Sequence, residues 1–317
     1  MDADRAQSPD TDLPGIVLAA RRSPDALRRA VTSGQLARVR RGAYSAPNPA
    51  AGAGRRASHE ARARIAAVHA QLRLPFVFSH ESAALIWGLD LIRWSGRTHV
   101  VQESRPSSRN DPLVVRHLVR LTPAERTTVR GLPVTTLART VLDCARTLSG
   151  DASLVVADCA ARNGLDLDEV RRLLPGARGT RGVVAARDLL ELVDGGAASP
   201  GESMTRWALL DAGLPRPATQ VAVPTRLGTF ALDLGWPEHR VGVEFDGLVK
   251  YSGAFGRTGT DAVFAEKRRQ DAIEAEGWRL LRVTWQDLRD GPEIAARAAA
   301  LLRRSREFGT SWTSSAV

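Results

Sequence analysis

Four acidic residues in the last third of the chain stand where their carboxylates could act together, namely Glu202, Asp233, Glu244 and Asp246. Glu202 falls on an amphipathic helical run, and the other three form the pattern D-x(10)-E-x-D across two apolar, strand-like runs. Side chains alternate with period two along a strand, so Glu244 and Asp246 point the same way, and Asp233 on a neighbouring strand can converge on them. Oxygen ligands so grouped suit Mg²⁺, which takes one or two carboxylates and completes its shell with water and substrate phosphate. Without a cation the cluster would be costly, because like charges at close range raise one another's pKa. With one, the site could activate water and neutralise charge developing on a phosphodiester. A plainer role stays open: Asp233 and Asp246-Gly247 also suit turns, with Glu244 a charge on an edge strand.

A second constellation lies near the N-terminus. Ser23 can cap a helix with Pro24 in its first turn, and Gly34 can end it, leaving Arg28 and Arg29 outward. The run QLARVRRGAYS then alternates Leu36, Val39 and Tyr44 with Arg38, Arg40 and Arg41, and Gly42 suits a tight turn. A short helix followed by such a ribbon has the form of a wing. Residues 21–64 hold eleven arginines against two acids, Asp25 and Glu60, which concentrates basic charge where a DNA-facing helix and wing would lie.

Glycine- and proline-rich breaks divide the elements that must position these groups. Residues 1–12 read as a disordered polar tail, 13–48 as the helix and wing, and APNPAAGAGRR as a linker. Residues 58–195 read as a mixed, mainly helical middle domain, with strand-like THVVQ and LVVRHLV ahead of four helical runs. After DGGAASPGES the order becomes helix, three strands, helix, strand, helix over 198–305, followed by a tail at 306–317.

The net charge of +10 in 317 residues favours a polyanionic partner, since neutralising phosphates releases condensed counterions. No apolar run approaches the roughly 20 residues of a membrane span, and the acidic start is unlike a signal peptide, so no membrane partner and a cytoplasmic location are expected. Cys144 and Cys159 lack metal-ligand or redox spacing and read as buried small hydrophobes. Trp207, Trp278 and Trp285 read as core packing, and His239 as a residue beside a turn.

Two family resemblances bear on these patterns. The helix ending in SG followed by L-x-RVRRGAY resembles the N-terminal winged helix of AbiEi-type antitoxins of bacterial type IV toxin–antitoxin systems, over roughly residues 10–48. That resemblance implies DNA binding, in that family often to the operon's own promoter, with Arg28, Arg29, Arg38, Arg40 and Arg41 as phosphate or groove contacts and a cognate toxin as a partner. The series GES-x-x-R-W-x-LL-x-x-GLP, ALDLGWPEHRVGVEFDG and EKRRQDAIEAEGWRLLRVTW resembles the Vsr-like nuclease domains of the PD-(D/E)XK superfamily. It implies a mixed sheet flanked by helices, with Glu202, Asp233, Glu244 and Asp246 on active-site positions.

The chain departs from that superfamily's pattern by placing Asp246 where the (D/E)-x-K motif has lysine. Its only lysines, Lys250 and Lys267, both lie nearby in a chain otherwise rich in arginine. Lysine can shift its pKa when partly buried and orient a water, which arginine does poorly, so Lys250 is the leading catalytic candidate. Lys267, Arg268 and Arg269 are expected to hold DNA backbone, with Asp271 paired to a neighbouring arginine.

The expectation is a multidomain α+β and α/β protein: an N-terminal winged helix, a mainly helical middle region and a C-terminal restriction-endonuclease-like α/β domain. Its function would be DNA binding with Mg²⁺-dependent endonuclease activity. The alternative is an AbiEi-like antitoxin or transcriptional regulator whose nuclease-like domain is inactive and serves dimerisation or partner binding, a homodimer being compatible with either.

Overall fold

The structure is a computed structural model that describes residues 13–48, 52–104, 111–247 and 259–311. The chain folds as mixed α and β in two compact units, residues 1–147 with 167–181, and residues 148–166 with 182–317. The contacts do not divide at the boundaries read from the sequence. The region expected as one middle domain is shared out, because the helices at 148–166 and 182–195 pack with the C-terminal unit.

In the first unit, α1 (Pro24–Thr32) begins as its sequence dictates: Ser23 Oγ accepts a hydrogen bond from Ala26 N, and Pro24 fills the first turn. Beyond Gly34, in the left-handed region at φ +74°, β2 (Ala37–Arg40) and β3 (Ala43–Ser45) form a hairpin turned at Gly42, φ +75°. β1 (Val17–Leu18) completes a three-stranded sheet in the order β1-β3-β2. The long helix α2 (Ala53–Gln71) follows.

The rest of this unit is less helical than its sequence suggests. A five-stranded mixed sheet, ordered β6-β5-β4-β8-β7, is built from β4 (Val77–Phe78), β5 (Thr98–Gln102), β6 (Val114–Leu118), β7 (Arg126–Val129) and β8 (Leu132–Thr135). Only β5 and β6 were evident as strands. β4 has two residues, too few to show a period, and the β7–β8 hairpin turns at Arg130 and Gly131, φ +51° and +77°. Two successive positive φ angles are those of a type I′ turn, and arginine in its first position hides the signal. Helices α3 (His80–Trp87), α4 (Leu137–Thr147) and α6 (Leu167–Leu173) accompany this sheet, and Ile65, Val68, Phe78, Ile86, Val100, Val134 and their neighbours form its core.

In the second unit, α5 (Gly150–Arg162) and α7 (Val183–Leu190) precede α8 (Pro200–Asp211). The sequence order then appears as expected: β9 (Ala218–Thr225), β10 (Gly228–Trp236), β11 (Val241–Asp246), α9 (Gly259–Ala275), β12 (Arg279–Thr284) and α10 (Gly291–Ser311). α10 continues past residue 306, where the tail was placed. The sheet runs β12-β11-β10-β9, with β9, β10 and β11 antiparallel in turn and β11 parallel to β12. Parallel neighbours need a crossover, which α9 supplies.

Two apolar layers hold the sheet. Leu209 of α8 and Ile294, Ala298 and Leu302 of α10 cluster with Leu234, Trp236, Val241, Val243, Leu281 and Val283. Ile273 of α9 clusters with Val221, Val223 and Leu232, with Phe230 and Leu280 against them. Asp158 and Arg206 tie α5 to α8: both side chains are wholly buried, and Arg206 Nη2 donates to both carboxylate oxygens at 2.6 and 2.7 Å. Both cysteines are buried thiols outside any disulfide. No helix among the described residues is long and apolar enough to cross a membrane.

Candidate functional site

The acids of the second unit meet where the sheet departs from regular alternation. Along β10, Phe230 and Leu232 join the layer under α9, whereas Leu234 and Trp236 join the layer under α8 and α10. Residues of one parity cannot face both ways on a regular strand, so the strand reverses its faces at Asp233. The partner strand shows the cause. Leu232 pairs with Val221 and Leu234 with Thr219, while Gln220, between those partners, has φ +49°. A non-glycine residue at positive φ is a backbone outlier of the kind that gathers at functional sites.

Asp233 uses this reversal to turn toward β11. Its Oδ2 accepts a hydrogen bond from Phe245 N at 2.7 Å, and the registered pairs of β10 with β11 run only from Leu234↔Val243 to Trp236↔Val241. The two strands therefore separate where Asp233, Glu244 and Asp246 lie. Glu202 arrives from the first turn of α8, where it is 7% exposed; its Oε2 accepts from Ala198 N at 2.8 Å and from Gln220 Nε2 at 3.3 Å. Close approach of α8 to β11 depends on Gly201, since a Cβ there would lie 2.1 Å from the Phe245 ring. Gln220 thus links the helix acid to the strand irregularity. Sequence reasoning missed it, because a lone glutamine in an exposed strand gives no signal until its backbone angle is known.

Glu244 is 9% exposed and already has a cationic partner. Arg269 Nη2 of α9 donates to Glu244 Oε1 at 2.5 Å and to Ala231 O at 3.0 Å, while Arg282 Nη2 lies 3.9 Å from Glu244 Oε2 and bonds Glu266. Burial would pull the Arg269 guanidinium down, but the hydrogen bond and charge of Glu244, aided by Glu266 and Asp233, hold it above its ordinary value. Arg269 is therefore built into the acidic site rather than presented to DNA backbone, because an arginine on that turn of α9 is the nearest charge able to offset a buried glutamate. Lys267 and Arg268 are exposed on the same helix, and Lys267 Nζ pairs with Asp271 at 3.2 Å, the partner expected to be an arginine. Lys250 lies outside the described residues.

A ready-made three-carboxylate cage is not what the strands form. Among the described residues, the one set of three His, Cys, Asp or Glu side chains with ligand atoms all within 4.8 Å is His80, His99 and His117 in the first unit. Asp233, Glu244 and Asp246 are not drawn together to that spacing, since Asp233 turns to a backbone N–H and Glu244 to Arg269. The donor set still suits a hard cation through fewer protein ligands: oxygen donors from two separating strands, with the remaining positions left to water and phosphate.

In the first unit, Arg28, Arg29, Arg38 and Arg41 are exposed on α1 and the β2–β3 hairpin, with Arg28 loosely paired to Asp25 at 3.7 Å. Arg40 differs. Its side chain is only 13% exposed and forms an ion pair with Asp111, so it anchors the hairpin instead of offering charge to a ligand. Strand alternation explains the split: Arg38 and Arg40 would share a face in a regular strand, but the register of β2 on β3 shifts between them.

Trp278 and Trp207 are part-buried as expected, whereas Trp285 is 40% exposed and packs edge-on against Phe245 at 5.0 Å. His239 bonds Ser305 and takes no part in the acidic site.

No family model matches the chain. A Mycobacterium tuberculosis protein called "Uncharacterized protein Rv2248" is 29% identical over 282 residues, spanning 88% of this chain and 97% of that protein. "Uncharacterized protein MT2308", from another strain of the same species, gives the same identity and coverage. Among solved structures, the crystal structure of the RV2827C protein from M. tuberculosis is similar at a TM-score of 0.37 and 17% identity, covering 68% of this chain and 85% of that one.

Proposed function

We propose that this chain is a DNA-binding protein whose C-terminal unit is a Mg²⁺-dependent endonuclease domain hydrolysing DNA phosphodiesters. The observation that carries the proposal is the reversal of β10 at Asp233, which turns that acid toward β11 where the two strands separate beside Glu244 and Asp246, in a helix–three-strand–helix–strand core whose first helix carries the buried Glu202. Asp233 and Glu244, with Asp246, would hold the ion, which when bound supplies Lewis acidity toward a phosphate oxygen and acidity to a bound water.

The chain's own groups have distinct parts in this reading. Arg269 offsets the charge of Glu244, and its fork of donors would be available to a phosphate oxygen of the substrate. Gln220 holds Glu202 in place. The exposed Lys267 and Arg268, together with Arg28, Arg29, Arg38 and Arg41 of the first unit, supply sequence-independent contacts to phosphates. The α1 helix and its hairpin act as the winged-helix element of the first unit.

A second reading is favoured by one specific contact. With aspartate at the lysine position and Arg269 closed on Glu244, the domain could serve as an inactive scaffold of an antitoxin-like regulator, its DNA binding retained and a cognate toxin or second copy as partner.

The deciding experiment incubates wild type, Asp233→Asn and the double variant Arg38→Ala/Arg41→Ala with supercoiled plasmid, in Mg²⁺ or EDTA, reading nicking and gel shift together. Nicking that needs Mg²⁺ and is lost in Asp233→Asn while the shift persists supports the nuclease. A shift without nicking under varied divalent ions supports the regulator. The arginine variant is expected to weaken the shift and lower its salt dependence by about one to two phosphate contacts. Binding that is indifferent to salt and to both arginines would refute the DNA-binding proposal.

A further inference from the structure

The first unit contains a buried polar cluster that the proposed nuclease chemistry does not use. His80 opens α3, His99 lies on β5 and His117 on β6. The register of the parallel pair β5–β6 sets His99 opposite Val115, so His117, two residues further along, faces the same side of the sheet. His80 reaches that side through a strained backbone: it is a non-glycine residue at φ +52°, held between β4 and α3 and 6% exposed. Backbone outliers of this kind persist where the surroundings over-determine them, and they gather at functional sites.

The three rings approach through specific nitrogens. His99 Nδ1 and His117 Nε2 are 3.1 Å apart, and the His80 ring stacks on that of His117 with centroids 3.7 Å apart. Two of the three imidazoles have an outer partner that fixes the opposite nitrogen. Ser79 Oγ lies 2.9 Å from His80 Nδ1, leaving Nε2, and Glu81 Oε2 lies 3.3 Å from His99 Nε2, leaving Nδ1. Carboxylate and hydroxyl partners on the far nitrogen are the arrangement that orients histidine ligands at metal centres. Zn–N bonds of about 2.0–2.1 Å place tetrahedral ligand nitrogens roughly 3.3 Å apart, close to the His99–His117 separation.

We propose that His80 Nε2, His99 Nδ1 and His117 Nε2 form a binding site for one borderline divalent transition-metal ion of the Zn²⁺ class. Three histidines leave a fourth position for water or an exogenous ligand. Glu81 brings a carboxylate against His99, and the cations of the region are offset by carboxylates: Arg139 is bound to both Asp143 and Glu125, and Arg146 lies 3.8 Å from Asp143. An ion lies in the plane of each ring that binds it, so the 11° stack of His80 on His117 must tilt open as the ion enters.

The test is titration of the full chain, free of any affinity tag and stripped of metal, with Zn²⁺ by calorimetry and with Co²⁺ by visible absorption. The expected result is one equivalent per chain and a tetrahedral Co²⁺ spectrum. Both should be lost in His117→Gln and in His80→Asn. Glu81→Gln should retain the site with about 10- to 100-fold weaker affinity. A control variant with His59, His69 and His239 all changed to Gln should bind as wild type does. Wild type that takes up neither ion, or uptake that follows the control histidines instead of the cluster, overturns the proposal. Because wild type alone decides the first point, poor folding of a cluster variant does not protect the idea. The outcome is independent of whether plasmid is cleaved.

Discussion

Replacing Arg206 by methionine should unfold the second unit far more easily than its conservative volume suggests. The Asp158 carboxylate has zero exposure and accepts two hydrogen bonds from Arg206 Nη2, at 2.6 and 2.7 Å, and one from Asp194 N at 2.8 Å. Arg206 Nη1 also donates to Leu192 O. Methionine removes the guanidinium and leaves a buried carboxylate with only the Asp194 N–H and the Ser203 hydroxyl as donors and no countercharge, a change of the kind that costs about 3–5 kcal/mol. Replacing both partners, Asp158→Leu with Arg206→Met, removes the stranded charge. It should cost only about 1–2 kcal/mol, chiefly for the unmet Asp194 N–H and Ser203 hydroxyl. The double variant should therefore be about 2–3 kcal/mol more stable than Arg206→Met alone, so the losses of the two single variants are far from additive. Urea unfolding followed by tryptophan fluorescence, with Trp207 and Trp236 as reporters in this unit, would read the single variant as a midpoint lower by about 2 M at a slope near 2 kcal/mol/M. Additive losses, with the double variant as unstable as the sum of the singles, would refute the reasoning. They would also show that this pair does not pin α5 to the C-terminal unit.

Two further outcomes can be checked readily. Gly201→Ala should cost about 1–3 kcal/mol by overpacking, since its Cβ would meet the Phe245 ring at 2.1 Å, and it should disturb the Phe245 N to Asp233 contact; thermal stability should fall, and any nicking should need more Mg²⁺ to reach half its maximal rate. Glu125 should make the first unit acid-sensitive: burial pushes its carboxyl up, but hydrogen bonds from Thr122 and the Arg139 guanidinium outweigh this and hold it below its ordinary 4.5. A depressed folded-state pKa gives stability that is present above 4.5 and lost as pH falls through the folded value. Melting temperature from about pH 6 to about pH 3 should accordingly fall more steeply in wild type than in Glu125→Gln, and parallel curves would contradict the assignment.

The elements of the second unit were legible because their signals are local. Ser199-Pro200 caps α8, the apolar alternation of β9 to β11 has period two, and α9 and α10 carry long helical runs. Both arms of the N-terminal helix and hairpin were likewise written in Ser23, Pro24, Gly34 and Gly42. Candidate acids could be named for the same reason, since D-x(10)-E-x-D depends only on strand spacing.

What the acids touch was decided by tertiary structure. No spacing rule tells that β10 reverses its faces at Asp233, that Gln220 takes a left-handed angle opposite it, or that Arg269 turns inward to Glu244 while Arg268 stays outside. Arg40 and Arg38 read alike in sequence, yet a shifted register buries one against Asp111 and exposes the other. His80, His99 and His117 sit on three elements with no common motif, and only the pairing of β5 with β6 and the strained start of α3 bring them together. Local propensity and period act over a few residues, so the sequence alone determined which elements form and which residues carry charge. Register, strand reversal and the choice of ion-pair partner depend on contacts between residues far apart in the chain, and those were determined when the layers packed.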